Sequence, residues 1–167
     1  LGRNRMRAFR LAWDAVCGIP LLVPSFLYDG VHQEHHFRRK YGTKTDGEYL
    51  PFGTPPRLRI VAYLLSHLIL PPLMVLRFGF IGPLSWASVR SRRFVWRRMS
   101  SLSIDPGYER PVPERIPANW VAQESLCAGY IWTVAALLYT DVLPVSAPVT
   151  LYAVSVLILI LNAVRTL

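Results

Sequence analysis

From Val145 to Val164 the chain reads VSAPVTLYAVSVLILILNAV, twenty residues without a charge. Wound as a helix, that run is about 30 Å long, the thickness of a bilayer core. Val121 to Leu143 is also mostly apolar, with Gln123, Glu124 and Asp141 near its ends. Thr140 to Pro144 between the two runs has the composition of a short turn. The pattern predicts a transmembrane helical hairpin over 121–143 and 145–165, with Trp120, Tyr130 and Trp132 as anchors at or near the water interface.

Two earlier apolar stretches are less regular. Residues 58–86 hold enough apolar side chains for one span, but Pro71-Pro72 interrupts them in the middle. Arg57 and Arg59 precede that stretch, and Arg90, Arg92, Arg93, Arg97 and Arg98 follow it. Basic flanks on both sides predict a Pro-broken, re-entrant helical pair that enters and leaves on one face, with a plain single span as the alternative. Residues 8–28 are apolar too, yet contain Asp14, Pro20 and Pro24. The embedded Trp13-Asp14 pair and the lack of a small-x-small cleavage site argue against a signal peptide. The stretch reads as an amphipathic helix lying in the interface. His67, inside the third apolar region, is expected to bond a backbone carbonyl and not a metal.

Charge then fixes the class and the orientation. The chain has 167 residues, 52% of them hydrophobic, with 19 Lys+Arg against 10 Asp+Glu. That hydrophobicity excludes a disordered chain, and two cysteines exclude a disulfide-stapled domain. High apolarity with a +9 net charge points to an all-α membrane protein whose basic segments face the cytoplasm. Residues 88–119 are then a basic cytoplasmic loop. Its run Ser88-Val-Arg-Ser-Arg-Arg-Phe-Val-Trp-Arg-Arg98 is read as facing lipid headgroups and not nucleic acid, because its neighbours are membrane segments. The chain opens on Leu1 and closes on Leu167 without a helix-ending signal, and is read as an internal fragment of a longer protein.

Candidate chemistry sits in residues 29–53. His32, His35 and His36 lie within five residues. On a helix they would fall within an arc of about 100°. Neutral imidazole suits iron, copper, zinc or nickel, and three from one turn would more readily serve two ions than one. The bland alternative is a solvated, His-rich surface helix. The spacing HxxHH is not the HExxH of zinc proteases, since Glu34 stands at the wrong offset to be that base. All-nitrogen ligation beside a membrane suits a non-haem iron centre that handles oxygen.

These residues also carry a resemblance. Pro24-Ser-Phe-Leu-Tyr28, His32-Gln-Glu-His-His36, Tyr41-Gly-Thr43 and Asp46-Gly-Glu-Tyr-Leu-Pro-Phe52 together resemble the membrane fatty acid desaturases, bacterial members above all. The resemblance is sharp over about residues 20–53 and weaker beyond. It implies a histidine-box di-iron enzyme that uses O2 and two electrons to desaturate an acyl chain. It further implies an acyl-lipid or acyl-CoA substrate and an electron donor of ferredoxin or cytochrome b5 type. His32, His35 and His36 match its middle box, on the cytoplasmic face. The other boxes would lie before Leu1 and after Leu167, so this piece alone would be inactive. Glu34, Tyr41, Asp46 and Glu48 are candidate partners for the imidazole N–H groups, or else parts of a solvated acidic loop. A membrane hydroxylase or ketolase with the same site is the near alternative, and a non-enzymatic metal-binding membrane protein the distant one.

Overall fold

The structure, a computed structural model, describes residues 2–29, 57–101 and 108–166. Most of those residues are helical, and none of them is in a strand. The all-α membrane architecture expected from the sequence is present. Three helices are long and apolar enough to cross a membrane, namely Ile60–Ser85, Ala118–Tyr139 and Ser146–Val164.

Helix α1 (Gly2–Trp13) is shorter than the expected element over 8–28. It passes into a π-helical turn, Asp14–Gly18, and the chain then turns with Leu22 at φ 58°. Pro20 and Pro24 explain the ending, because neither has an N–H to continue a helical ladder. Pro24 is extended (φ −60°, ψ 150°) and leads into a 3-10 turn, Ser25–Tyr28. Gly18 is needed at this corner, because a Cβ there would stand 2.7 Å from the Asp14 carboxylate and 3.2 Å from Pro24 Cα.

Helix α2 (Arg57–Leu76) corrects the Pro-broken reading of 58–86. Pro71 and Pro72 lie inside it. It continues through a π-helical turn, Arg77–Ile81, into α3 (Gly82–Ser85). The physical reason lies in a distant helix. Pro72 has no N–H to give to Leu68 O four residues back, and the Tyr152 hydroxyl donates to that carbonyl at 3.0 Å. A freed carbonyl at membrane depth is tolerated when a neighbouring helix satisfies it in this way. The two basic flanks of 58–86 therefore lie at opposite ends of one continuous helix, and the argument for re-entry fails.

Residues 88–119 are not a loop throughout, since Val89–Arg98 forms helix α4 after the extended Ser88. Helices α5 (Ala118–Tyr139) and α6 (Ser146–Thr166) follow one another across a short turn, and α6 packs against α2. The turn closes α5 with Asp141 at φ 55°. Asp141 N–H donates to Leu138 O (3.2 Å) and Val142 N–H to Leu137 O (3.0 Å), the paired bonds of a Schellman cap.

The core gathers where α2, α3, α4 and α5 meet the 3-10 turn. Phe26, Phe78, Trp96 and Trp120 pack there with Leu22, Leu27 and Cys127. Phe26 meets Phe78 edge-on at 6.2 Å and Trp96 at 5.5 Å, and Trp96 stacks on Trp120 at 5.5 Å. Trp120 is therefore a core residue and not an interface anchor. Trp132 and Tyr130 lie well inside α5, away from its ends. The Trp132 indole N–H donates to Gly79 O (3.1 Å), and Tyr130 packs against the core.

Candidate functional site

The sequence-predicted ligands His32, His35 and His36, and their candidate partners Glu34, Tyr41, Asp46 and Glu48, all lie outside the described residues. What the structure does show is how the chain is held at Asp29, three residues before His32.

The 3-10 turn Ser25–Tyr28 is too short to satisfy its own ends, and distant side chains satisfy them. At its start, Asp14 accepts from the Ser25 backbone N–H through Oδ1 (2.6 Å) and from the Ser25 hydroxyl through Oδ2 (2.8 Å). Gln123 on α5 accepts from Phe26 N–H (2.9 Å) and donates to Ser25 Oγ (3.2 Å). At its end, Arg110 Nη2 donates to Phe26 O (2.8 Å) and to Asp29 O (2.5 Å). The same guanidinium also donates through Nη1 to Ser100 O and lies 3.8 Å over the Trp120 ring. The Asp29 carboxylate is fixed twice, by Arg10 Nη1 on Oδ1 (2.8 Å) and by the Trp120 indole N–H on Oδ2 (2.9 Å). Burial pulls the Arg110 guanidinium down to about 10, with Asp29 and then Tyr108 opposing the shift. It therefore stays protonated at neutral pH.

A second polar cluster locks the helices beneath this turn. Arg77, 2% exposed, donates from Nη1 to Glu124 Oε1 (2.6 Å), from Nη2 to Ser100 Oγ (2.8 Å) and from Nε to Met99 O (2.8 Å). Arg92 Nη2 reaches the other oxygen of Glu124 at 2.6 Å. Gly82 makes room for the cluster, because a Cβ there would stand 3.0 Å from Glu124 Oε1 and 3.1 Å from Arg77 Nη1. Both π-helical turns, Asp14–Gly18 and Arg77–Ile81, begin on a buried ionisable residue, in keeping with the tendency of π-turns to mark functional positions.

None of Asp14, Arg77, Arg110, Gln123 and Glu124 is a site residue in the sequence reading. The signal that could have found three of them is an ionisable group embedded in an apolar helix, which Asp14, Arg77 and Glu124 all are. Arg110 and Gln123 carry no such signal, because their partners lie roughly 80 to 100 residues away in sequence.

Among the described residues no group of three or more His, Cys, Asp or Glu stands together to hold a metal, so nothing described here fits a di-iron centre. His67, as expected, donates from Nδ1 to Tyr63 O (2.8 Å) and meets the Tyr63 ring edge-on at 4.8 Å.

The fold and the platform define an integral membrane protein in which a polar, buried scaffold fixes the entry to a histidine-rich segment. The chain is 36% identical over 159 residues to a ceramide hydroxylase of Caulobacter vibrioides (strain NA1000 / CB15N), an alignment covering 95% of this chain and 45% of that protein. The chain thus spans less than half the length of this curated relative. No protein-family model matches the chain, and no solved structure matches it. The relative is named a ceramide hydroxylase, whereas the sequence reading expected an acyl-chain desaturase with a hydroxylase as its alternative. The similarity therefore favours the hydroxylase alternative over the desaturase reading.

Proposed function

We propose that this chain is part of an O2-dependent membrane hydroxylase acting on a ceramide-class lipid. The observation that carries this reading is the 36% identity, over nearly the whole chain, to a ceramide hydroxylase. The HxxHH spacing and the three membrane-length helices support it. The overall reaction takes a C–H bond of the lipid, O2, two electrons and two protons to an alcohol and one water. An unactivated C–H bond needs an oxidant that side chains lack, and a pair of non-haem irons supplies that chemistry when bound.

In this proposal His32, His35 and His36 contribute imidazole nitrogens to the metal site, and the remaining ligands lie outside the chain. Glu34, Tyr41, Asp46 and Glu48 are candidates to receive or orient the imidazole N–H groups. The residues of the platform act by position. Arg110, Asp14 and Gln123 fix the turn that ends at Asp29, and the three residues from there to His32 reach at most about 11 Å. Asp29 is tethered beside Arg110 at the arginine-rich end of α5; with that end cytoplasmic by the positive-inside rule, His32 would lie within reach of that face, where a donor of ferredoxin or cytochrome b5 type has access.

The test is to express the full-length protein with a reducing system in cells that contain ceramides, then measure the lipids by mass spectrometry. A gain of one oxygen atom is the expected product. Loss of two hydrogens without oxygen would restore the desaturase reading. His35→Ala is expected to abolish product and lower bound iron while leaving membrane insertion unchanged.

A further inference from the structure

A groove of about 430 Å³ opens between α4 and the extended stretch that leads into α5. Its walls include Trp86, Val89, Arg93, Trp96, Ile116 and Val121. A neighbouring hollow of about 330 Å³ is lined by Arg90, Arg93 and Arg97 among others, so Arg93 borders both.

The ion pairing of α4 is uneven. Arg92 is held by Glu124. Arg97 and Arg98 share the single carboxylate of Glu109. Arg90 and Arg93 are exposed and pair with no carboxylate among the described residues. Glu114 is the one acidic residue in the groove lining, and Arg92 and Arg93 outnumber it there. Arg90 and Arg93 are thus the cations of α4 left open to the oxygen of an external anion.

The surroundings say where such an oxygen would come from. Helix α4 follows directly on the end of the span Ile60–Ser85. Beside its arginines it exposes Val89 and Phe94, with Trp86 and Leu84 exposed just before it. Cationic and apolar side chains exposed together at the end of a span are the pattern of a helix lying in the headgroup layer.

We propose that the phosphate headgroup of an anionic membrane phospholipid binds where this groove meets the neighbouring hollow, with Arg93, which borders both, and Arg90, which lines the hollow, as its cations. The proposal does not rest on the hydroxylase reading.

The full-length protein, reconstituted in phosphatidylcholine vesicles carrying a trace of spin-labelled phosphatidylglycerol or spin-labelled phosphatidylcholine, tests this. Electron spin resonance gives the share of each label that the protein immobilises. The expected result is a preference for phosphatidylglycerol of about fivefold or more, the scale of one or two arginines at an anionic headgroup. The double variant Arg90→Gln/Arg93→Gln should lose most of that preference. Arg93→Lys, which keeps the charge, should retain part of it, and Arg7→Gln, an exposed arginine on α1, should leave it intact. Both altered positions on α4 are exposed, so the variants are expected to fold. Equal immobilisation of the two lipids would overturn the proposal. So would an equal loss in Arg7→Gln, which would mean diffuse attraction to the whole basic surface. Complete displacement of the label by inorganic phosphate would also overturn it, in favour of a site for a free anion.

Discussion

The Glu124 carboxylate stands between two guanidinium groups, and that position determines what its removal does. Glu124→Ala leaves the buried Arg77 and the half-buried Arg92 facing each other with no anion between them. Breaking a buried pair costs about 3–5 kcal/mol, so the variant is expected to unfold at a markedly lower temperature in detergent than the parent protein. Arg110 acts differently, because geometry matters there as well as charge. Its planar fork serves Phe26 O, Asp29 O and Ser100 O at once. Lysine keeps the charge but not the fork. On the proposed function, Arg110→Lys in the full-length protein is expected to keep the fold while lowering product formation about tenfold or more, because small displacements of a reacting site are costly. Circular dichroism read beside lipid product separates the two effects. An unchanged rate would show that fixing Asp29 has no bearing on the chemistry.

At the scale of elements, the sequence disclosed what local composition determines and concealed what depends on distant partners. The hairpin was legible because twenty uncharged residues and a short polar turn leave few alternatives. The continuity of α2 was not legible, because the acceptor that Pro72 frees at Leu68 is satisfied by a hydroxyl 84 residues later. Trp120 was misplaced for a similar reason. An aromatic residue near the start of a span usually sits at the interface, but here the indole stacks on Trp96 and bonds Asp29. The histidine segment, read from spacing and resemblance, lies outside the described residues, and the polar clusters around Asp29 and Arg77 were missed because their members are scattered from Asp14 to Glu124. Tyr152→Phe isolates the α2 effect. It removes one oxygen and leaves Leu68 O without its donor, at a cost of about 1–2 kcal/mol. A Pro72→Ala change made on top restores the backbone N–H, and the two together are expected to recover most of the lost thermal stability.

For the molecule as a whole, the exposed surface is the clearest sign of its solvent. Leu65, Ile69 and Leu73 on α2, Leu126 on α5, and Leu157 and Leu161 on α6 are all at least half exposed. In water such rows would form a large apolar patch, whereas against lipid chains they are the natural outer face. The buried charged groups among the described residues gather at one end, where Arg77 meets Glu124 and where Arg110 meets Asp29. The opposite end is the turn around Asp141, and between the two run helices of 22 and 21 residues. That is about 30 Å of rise, enough to cross a bilayer core. The arrangement predicts that the two ends of the hairpin face different compartments, with the arginine-rich end inside. Single cysteines in a full-length protein whose native cysteines are replaced by serine can read this out, with Val142→Cys at the turn and Arg115→Cys before α5. Both positions are exposed. A membrane-impermeant maleimide added to intact cells should label Val142→Cys alone, and Arg115→Cys should react only after the cells are opened. Labelling of both from the same side would mean that the hairpin lies along the membrane and does not cross it, and the cytoplasmic assignment of the histidine segment would lose its main support.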